Sequence, residues 1–132
     1  MVAALQATNS EDALPLATTF SRARNRLYST CQNNPVALRL ETAHYEQILE
    51  HGRKRWGSDN TDVLKFSNNL ALGYSVLGRY QEAVELHEKN LRIYERELGP
   101  EHPDTLMSRH NLALGYFNLG RTTEAVQLNE ET

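Results

Sequence analysis

The stretch Asn-Leu-Ala-Leu-Gly-Tyr-Ser-Val-Leu-Gly-Arg at residues 69–79 returns as Asn-Leu-Ala-Leu-Gly-Tyr-Phe-Asn-Leu-Gly-Arg at residues 111–121. When the comparison is extended to residues 69–86 and 111–128, thirteen of eighteen positions are identical, which fixes an internal period of 42 residues. Such periods are typical of repeat arrays, in which stacked units bury one continuous core because a single unit cannot. The repeat therefore decides the fold class.

The composition indicates a soluble, cytoplasmic protein. Its 132 residues leave room for about three repeat units, and its hydrophobic share of 39% and charged share of 23% are ordinary for globular proteins. A net charge of -3 gives no concentrated basic surface for nucleic acid. The one cysteine, Cys31, cannot form an internal disulfide, and the apolar run at residues 1–5 is too short for a signal peptide or a membrane span. We therefore expect neither nucleic-acid nor membrane partners.

Helical periodicity and capping residues predict about six antiparallel helices in three pairs. The first begins between Ser10 and Leu16 and ends near Cys31. The other five are predicted at residues 36–56, 61–77, 80–98 and 103–119, and from about residue 122 onward. The apolar face of the second helix is assigned to Val36, Leu40, Ala43, Ile48, Leu49 and Trp56. Gly52 inside that helix predicts local fraying or a bend.

The repeat also predicts how the chain is divided. Residues 1–10 are read as a flexible lead-in, 11–56 as a divergent first helix pair, 57–98 as one repeat unit and 99–132 as a further unit truncated in its second helix. The sixth helix reaches the end of the sequence with its apolar face incomplete. We expect that the natural array continues or that the chain is a piece of a longer protein, because an uncapped end exposes apolar surface.

The repeated residues resemble the tetratricopeptide repeat, or TPR. The resemblance rests on Leu-Ala-Leu-Gly-Tyr in the first helix of each unit, on Leu-Gly-Arg at the turn, and on Glu82-Ala83 in the second helix. The 42-residue spacing and residues 98–106 are similar to the longer variety found in kinesin light chains and in arrays fused to nucleotide-binding signalling ATPases. The resemblance covers residues 57–132 and implies an all-α, right-handed α-α superhelix.

Some residues depart from the family pattern. Ser67 and Arg109 stand where the first helix of a unit, helix A, carries an early tryptophan, and His87 and Asn129 stand where the second helix carries an aromatic residue. The fold expectation survives because small residues remain where the helices cross; these are Ala71, Ala83, Ala113 and Ala125.

The resemblance also implies a partner-binding groove on the concave side of the array, lined by the A helices. Carried over by register, the groove positions are Lys65, Asn68, Asn69, Leu72, Ser75, Val76, Met107, His110, Asn111, Leu114, Phe117 and Asn118. Within the eighteen compared positions, helix A differs only where Ser75-Val76 becomes Phe117-Asn118. Side-chain amides in this set could bond the main chain of an extended peptide, and its leucines and phenylalanine could select apolar anchors.

The sequence offers no chemistry for catalysis. The five histidines lack metal-ligand spacing, and there is no phosphate-binding glycine loop, nucleophile elbow or catalytic triad. We therefore expect no enzyme activity, no cofactor and no metal site. The leading hypothesis is a module that binds a peptide or partner protein in the groove. Two alternatives stay open: a regulatory or sensor segment of a larger signalling protein, such as a nucleotide-binding ATPase, and self-association through the exposed C-terminal edge.

Overall fold

The computed structural model describes residues 17–130, and these residues fold into six α-helices joined by short turns. The helices are α1 Ala17–Asn33, α2 Pro35–Trp56, α3 Thr61–Val76, α4 Tyr80–Leu98, α5 Pro103–Asn118 and α6 Thr122–Glu130. They account for 87% of the described residues, which include no strand. The prediction of an all-α helical repeat fold is confirmed. The predicted start of the first helix lies outside the described residues.

The chain divides into two compact units, Met1–Phe66 and Ser67–Thr132, and the boundary falls within α3. In the first unit, α1 packs against α2 around a group of aromatic rings. The ring centroid of Phe20 lies 4.8 Å from that of Phe66 and 5.2 Å from that of Trp56. Burial of such rings supplies a large share of the free energy that holds a small helix pair together.

The buried face of α2 differs from the predicted one. Val36 and Leu40 are 68% and 79% exposed, and Ala43 is exposed as well. The buried residues of this helix are Leu38, Thr42, Tyr45, Ile48, Leu49 and Gly52. The buried positions from Leu38 to Gly52 keep the helical spacing of three and four. Ile48 and Leu49 were predicted correctly, whereas the first half of the predicted face was wrong. The buried stripe there runs through Leu38, Thr42 and Tyr45, and a polar residue in its middle hides it from an apolar pattern.

Gly52 is required by a close approach of two helices. A Cβ atom at this position would lie 2.6 Å from Cε1 of Phe20, which is closer than real Cβ atoms come to other side chains. The helix continues unbroken from Pro35 to Trp56, so the predicted fraying at Gly52 was wrong. The intrinsic cost of glycine in a helix is offset by the packing of the Phe20 ring against the bare backbone.

In the second unit, α5 packs against both α4 and α6. Val84, Leu91 and Leu112 form a buried cluster, and the partly buried Tyr116, Leu119 and Leu128 pack against it. A Cβ atom on Gly115 would lie 2.8 Å from Cγ2 of Val84, so this glycine lets α5 approach α4 closely. The small residues at which α4, α5 and α6 cross their neighbours are buried as well. These residues are Ala83, Ala113 and Ala125.

Three of the four polar residues that depart from the family pattern are buried in the second unit, namely Ser67, His87 and Arg109. Ser67 and Asn90 are 1% and 2% exposed, and the Ser67 hydroxyl donates to Oδ1 of Asn90 at 2.8 Å. Arg109 is 6% exposed, and its Nη2 donates to Oε2 of Glu95 at 3.1 Å. His87 is 2% exposed, and burial lowers the pKa of its imidazole to about 4. The core of this unit therefore holds polar groups as well as apolar ones.

The turns within the two clear repeats have the same backbone conformation. Gly78 and Gly120 have φ angles of 78° and 79°, a region that L-residues with a side chain adopt only with strain. In both turns the amide of the following arginine donates to the carbonyl of the repeat tyrosine, at 2.7 Å from Arg79 to Tyr74 and 2.8 Å in the second copy. The sequence identity of the repeats thus extends to their main-chain hydrogen bonds.

A set of side chains, here called the turn cluster, accompanies each of these turns. The guanidinium of Arg79 stacks 4.7 Å above the ring of Tyr74 and forms two hydrogen bonds of 2.6 Å with the carboxylate of Glu82. Tyr116, Arg121 and Glu124 repeat this arrangement one period later, with the guanidinium 4.5 Å from the ring centroid. Each turn is therefore tied to its tyrosine and to the first turn of the next helix.

Candidate partner-binding site

The predicted groove residues lie on α3 and α5, the first helices of the two clear repeats. On each helix the main row advances by four, three and four residues, which places it along one side. On α3 this row is Lys65, Asn69, Leu72 and Val76; on α5 it is Met107, Asn111, Leu114 and Asn118. Asn68, Ser75, His110 and Phe117 flank these rows at the same helical spacing. Lys65 belongs to the first unit, and the other eleven residues belong to the second.

None of the twelve predicted residues is buried. Four of the large apolar side chains among them are exposed, with fractions of 47% for Val76, 64% for Met107, 50% for Leu114 and 62% for Phe117. In contrast, Leu112, between His110 and Leu114, is only 4% exposed. Exposed side chains of this size contribute little to the core, so they are available to a ligand.

The structure brings two of the predicted residues together. Nδ2 of Asn111 on α5 donates to Oδ1 of Asn68 on α3 at 3.0 Å, and both side chains are half-buried. We call Asn68 and Asn111 the amide pair. Sequence reasoning assigned both side chains to a peptide main chain and missed their contact with each other, because that contact depends on the distance between two helices.

The amide pair retains hydrogen-bonding capacity. An asparagine side chain has two donor protons and an acceptor oxygen with two lone pairs. The bond between Asn68 and Asn111 uses one proton of Asn111 and one lone pair of Asn68. Nδ2 of Asn68 and Oδ1 of Asn111 can therefore offer a donor and an acceptor, which is the complement of a peptide C=O and N–H.

The two helices present different side chains from similar backbones. At equivalent positions of the period, the small Ser75 is replaced by the phenyl ring of Phe117, and the apolar Val76 by the amide of Asn118. Over residues 69–76 and 111–118, the buried residues, including Gly115 and its equivalent Gly73, are unchanged. The differences between these two segments are therefore confined to side chains that are not buried.

A charged side chain beside the predicted residues is turned away from the ligand side. Arg109 precedes His110 in the sequence, yet it is buried and paired with Glu95 of α4. Sequence reasoning recognised Arg109 only as a departure from the family pattern and did not place it in the core. The burial of Arg109 could have been predicted from the family pattern, which has a large buried residue at this position.

The tyrosine of the last turn cluster carries a further inter-helix bond. The hydroxyl of Tyr116 donates to Oε2 of Glu88 on α4 at 2.8 Å. Burial, followed by this hydrogen bond, raises the pKa of Tyr116 to about 12. The contact positions α5, and with it the predicted ligand side, against the preceding helix pair.

Across residues 17–130, no helix is both long enough and apolar enough to cross a membrane. Within the same range, no group of three or more histidine, cysteine, aspartate or glutamate side chains is placed to hold a metal ion.

The fold defines an α-helical repeat protein, and exposed side chains of its α3 and α5 helices differ between the two clear repeats. The family model of the tetratricopeptide repeat matches residues 62–132, more than half of the chain. The chain belongs to this family, whose members typically bind protein or peptide partners and which is not an enzyme family.

Solved structures indicate that the repeats are similar to those of kinesin light chains. Two crystal structures of a Podospora anserina protein assigned to the kinesin light chains, with nearly identical TPR-like repeats, are 34% identical to this chain with a TM-score of 0.73. One of the two is a single-substitution variant of the other. The alignment covers 83% of this chain and 51% of theirs, so the chain spans about half the length of these structures. No curated protein matches the chain at a significant level.

Proposed function

We propose that this protein is a non-catalytic interaction module that holds an extended peptide segment of a partner protein in a groove lined by α3 and α5. The amide pair carries the proposal, because it joins the two helices and still offers a donor and an acceptor to a peptide main chain. Its partner is a cytoplasmic protein rather than nucleic acid or a membrane.

Apolar side chains around the amide pair would give the site its selectivity. Met107, Leu114 and Phe117 are at least half exposed, and all three follow the same helix as Asn111. Aromatic and large apolar anchors supply most of the binding free energy in typical interfaces, while main-chain bonds fix orientation. The preferred peptide would therefore carry apolar side chains on one side of an extended backbone.

The remaining predicted residues have supporting roles in this proposal. Asn69 and Leu72 extend the row on α3, and His110 and Asn118 provide polar contacts on α5. Ser75 and Val76 leave more room than Phe117 at the equivalent position, so the two repeats would select different side chains. Lys65, which belongs to the first unit, would add a positive charge at the N-terminal end of the row on α3.

The test begins with selection of binding peptides from a random 12-residue library against the full chain. The affinity of a selected peptide is then measured by fluorescence anisotropy for the wild type and for Phe117→Ser, which installs the residue found at the equivalent Ser75. Loss of an aromatic anchor that a bound peptide would cover should weaken binding by about fivefold to thirtyfold. Asn111→Ala should also weaken it, because the amide pair is lost.

The matched control is Leu40→Ser, since Leu40 is 79% exposed on α2 and lies outside the proposed site. Circular dichroism checks that every variant keeps its helix content. If Phe117→Ser and Asn111→Ala bind the selected peptide as tightly as wild type, or if Leu40→Ser weakens binding as much as they do, the groove assignment is wrong.

A further inference from the structure

Three buried polar atoms of the second unit have no hydrogen-bond partner within the part of the chain that the structure describes. They are Nδ1 of His87, Nδ2 of Asn90 and Oγ of Ser108, and all three residues are at most 3% exposed. A buried polar atom without a partner costs free energy, so folded proteins rarely contain one. These atoms therefore indicate a polar molecule that completes their hydrogen bonds.

Local rearrangement does not supply the missing partners. Asn90 accepts from the hydroxyl of Ser67 through Oδ1 at 2.8 Å, and turning its amide over would only exchange the two amide atoms. Thr42 satisfies its buried hydroxyl by donating to the carbonyl of Leu38, four residues earlier, at 2.6 Å. Ser108 makes no such bond, although its helix offers the same carbonyl position.

The contacts between α4 and α5 place the three residues near one another. Oγ1 of Thr105 on α5 donates to the carbonyl of Tyr94 on α4 at 3.3 Å. The two helices run in opposite directions, so Ser108, three residues after Thr105, lies opposite the part of α4 that precedes Tyr94 by three or four residues. Asn90 lies there, and His87 lies about 4.5 Å further along the same helix.

The 42-residue register also holds in the first unit. Gly57 and Gly99 close α2 and α4 with φ angles of 91° and 90°, and each amide donates to the carbonyl four residues earlier. Asn60 and His102 accept from the amide two residues later at 2.8 and 3.1 Å. Positions in the two units can therefore be compared one by one.

One period before the three polar residues, the first unit holds larger side chains. These are Tyr45 for His87, Ile48 for Asn90 and Phe66 for Ser108. All three are at most 6% exposed, and the ring centroids of Tyr45 and Phe66 lie 6.3 Å apart. These positions therefore meet in the core of the first unit. In the second unit they carry smaller side chains, and the volume of a phenyl ring exceeds that of a water molecule.

We propose that a water molecule binds inside the second unit, between α4 and α5, where it is held by His87, Asn90 and Ser108. It accepts from Nδ2 of Asn90 and donates one proton to Oγ of Ser108. Burial lowers the pKa of His87 to about 4, so the imidazole is neutral at pH 7 and Nδ1 can accept the other proton. Three hydrogen bonds are typical of a buried water.

The water would join the three helices of this layer. Asn90 already accepts from Ser67 on α3, and Ser108 belongs to α5. Through these bonds the water connects α4 with both helices that line the proposed groove. The site itself lies in the core and takes no part in contacts with a peptide.

A high-resolution crystal structure of the full chain is the direct test. It should show one ordered water at about 3 Å from at least two of the three polar atoms. Direct hydrogen bonds among these atoms, with no water between them, would overturn the proposal. A map without a water peak within hydrogen-bond distance of them would overturn it as well.

Magnetic relaxation dispersion of the water oxygen tests the same site in solution, because it counts water molecules that stay in the protein longer than its tumbling time. The variant combines His87→Tyr, Asn90→Ile and Ser108→Phe, which installs the side chains of the first unit, with Ser67→Ala, which removes the hydroxyl that bonds Asn90. It should contain about one long-lived water fewer than the wild type. An equal number in both proteins would overturn the proposal.

Gln81→Ile is the matched control, because it also replaces an amide on α4 by isoleucine but at an exposed position. Its long-lived water should equal that of the wild type. Circular dichroism checks that each variant keeps its helix content, and the crystal structure of the wild type decides if the combined variant does not fold. None of these measurements uses a peptide, so failure of the groove assignment and failure of the water site are distinguishable.

Discussion

Replacing His87 by phenylalanine should remove much of the acid sensitivity of the second unit. The imidazole is 2% exposed, and burial lowers its pKa from 6.5 to about 4. The unfolded chain binds a proton at this residue as the pH falls below about 6.5, whereas the folded chain binds it only near pH 4. The stability that depends on a neutral His87 is therefore complete at pH 7 and is lost as the pH falls from about 6.5 to about 4.

The magnitude follows from the same two pKa values. Each pKa unit corresponds to about 1.4 kcal/mol, so the free energy of unfolding should fall by about 2 kcal/mol at pH 5 and about 3 kcal/mol at pH 4, relative to pH 7. A small domain has only about 5–15 kcal/mol in total. A single buried histidine should therefore shift the urea midpoint visibly.

The assay is urea unfolding followed by circular dichroism at several pH values between 7 and 4, for the wild type and for His87→Phe. Other groups also lose stabilising interactions in acid, among them Glu82, whose pKa is lowered by its hydrogen bond from Arg79. They are present in both proteins, so the difference between the two pH curves isolates His87. His110→Gln, which removes an exposed histidine, should follow the wild-type curve. Parallel curves for wild type and His87→Phe would refute the reasoning.

Three further substitutions test the packing of the second unit by urea unfolding. Gly115→Ala should lower the free energy of unfolding by about 1–3 kcal/mol, because its Cβ would lie 2.8 Å from Cγ2 of Val84. Val84→Ala in the same chain should reduce that loss. A gain in stability from Gly115→Ala alone would contradict the close approach of the two helices. Gly120→Ala should lower the free energy of unfolding by about 1–2 kcal/mol because its φ of 79° is strained for a residue with a side chain, and not because of a clash, since nothing lies within 4 Å of the added atom. Val84→Ala in the same chain should therefore not reduce this loss. Ser67→Ala should cost about 1–3 kcal/mol, because the buried Oδ1 of Asn90 loses its donor, and a variant as stable as wild type would show that this bond contributes nothing.

The helices of the two clear repeats were predictable because the same letters recur with their caps and glycines. The end of α3 at Val76 and of α5 at Asn118 lies one residue before the predicted end, within the ordinary uncertainty of helix ends. The buried face of α2 was not predictable in the same way. Thr42 and Gly52 are core residues there, and neither is recognisable as such from an apolar pattern.

The exposure of the proposed site residues was predictable from the sequence, whereas the contacts among them were not. Register alone placed Phe117 and Met107 on the exposed side of α5. The bond between Asn68 and Asn111 joins residues 43 positions apart, and the bond between Ser67 and Asn90 joins residues 23 apart. Such contacts depend on how closely two helices approach, and the sequence pattern of either helix contains no measure of that distance.

The turn clusters bear on how this gene can change length. Each cluster draws its ring, guanidinium and carboxylate from nine consecutive residues, 74–82 in one copy and 116–124 in the other. If recombination removes or duplicates 42 residues in register, each remaining turn of this kind therefore keeps its own complete turn cluster. Unequal crossing-over between the repeats would yield shorter or longer proteins in which each of these turns keeps its complete turn cluster. Natural selection would then act mainly on the exposed positions that differ.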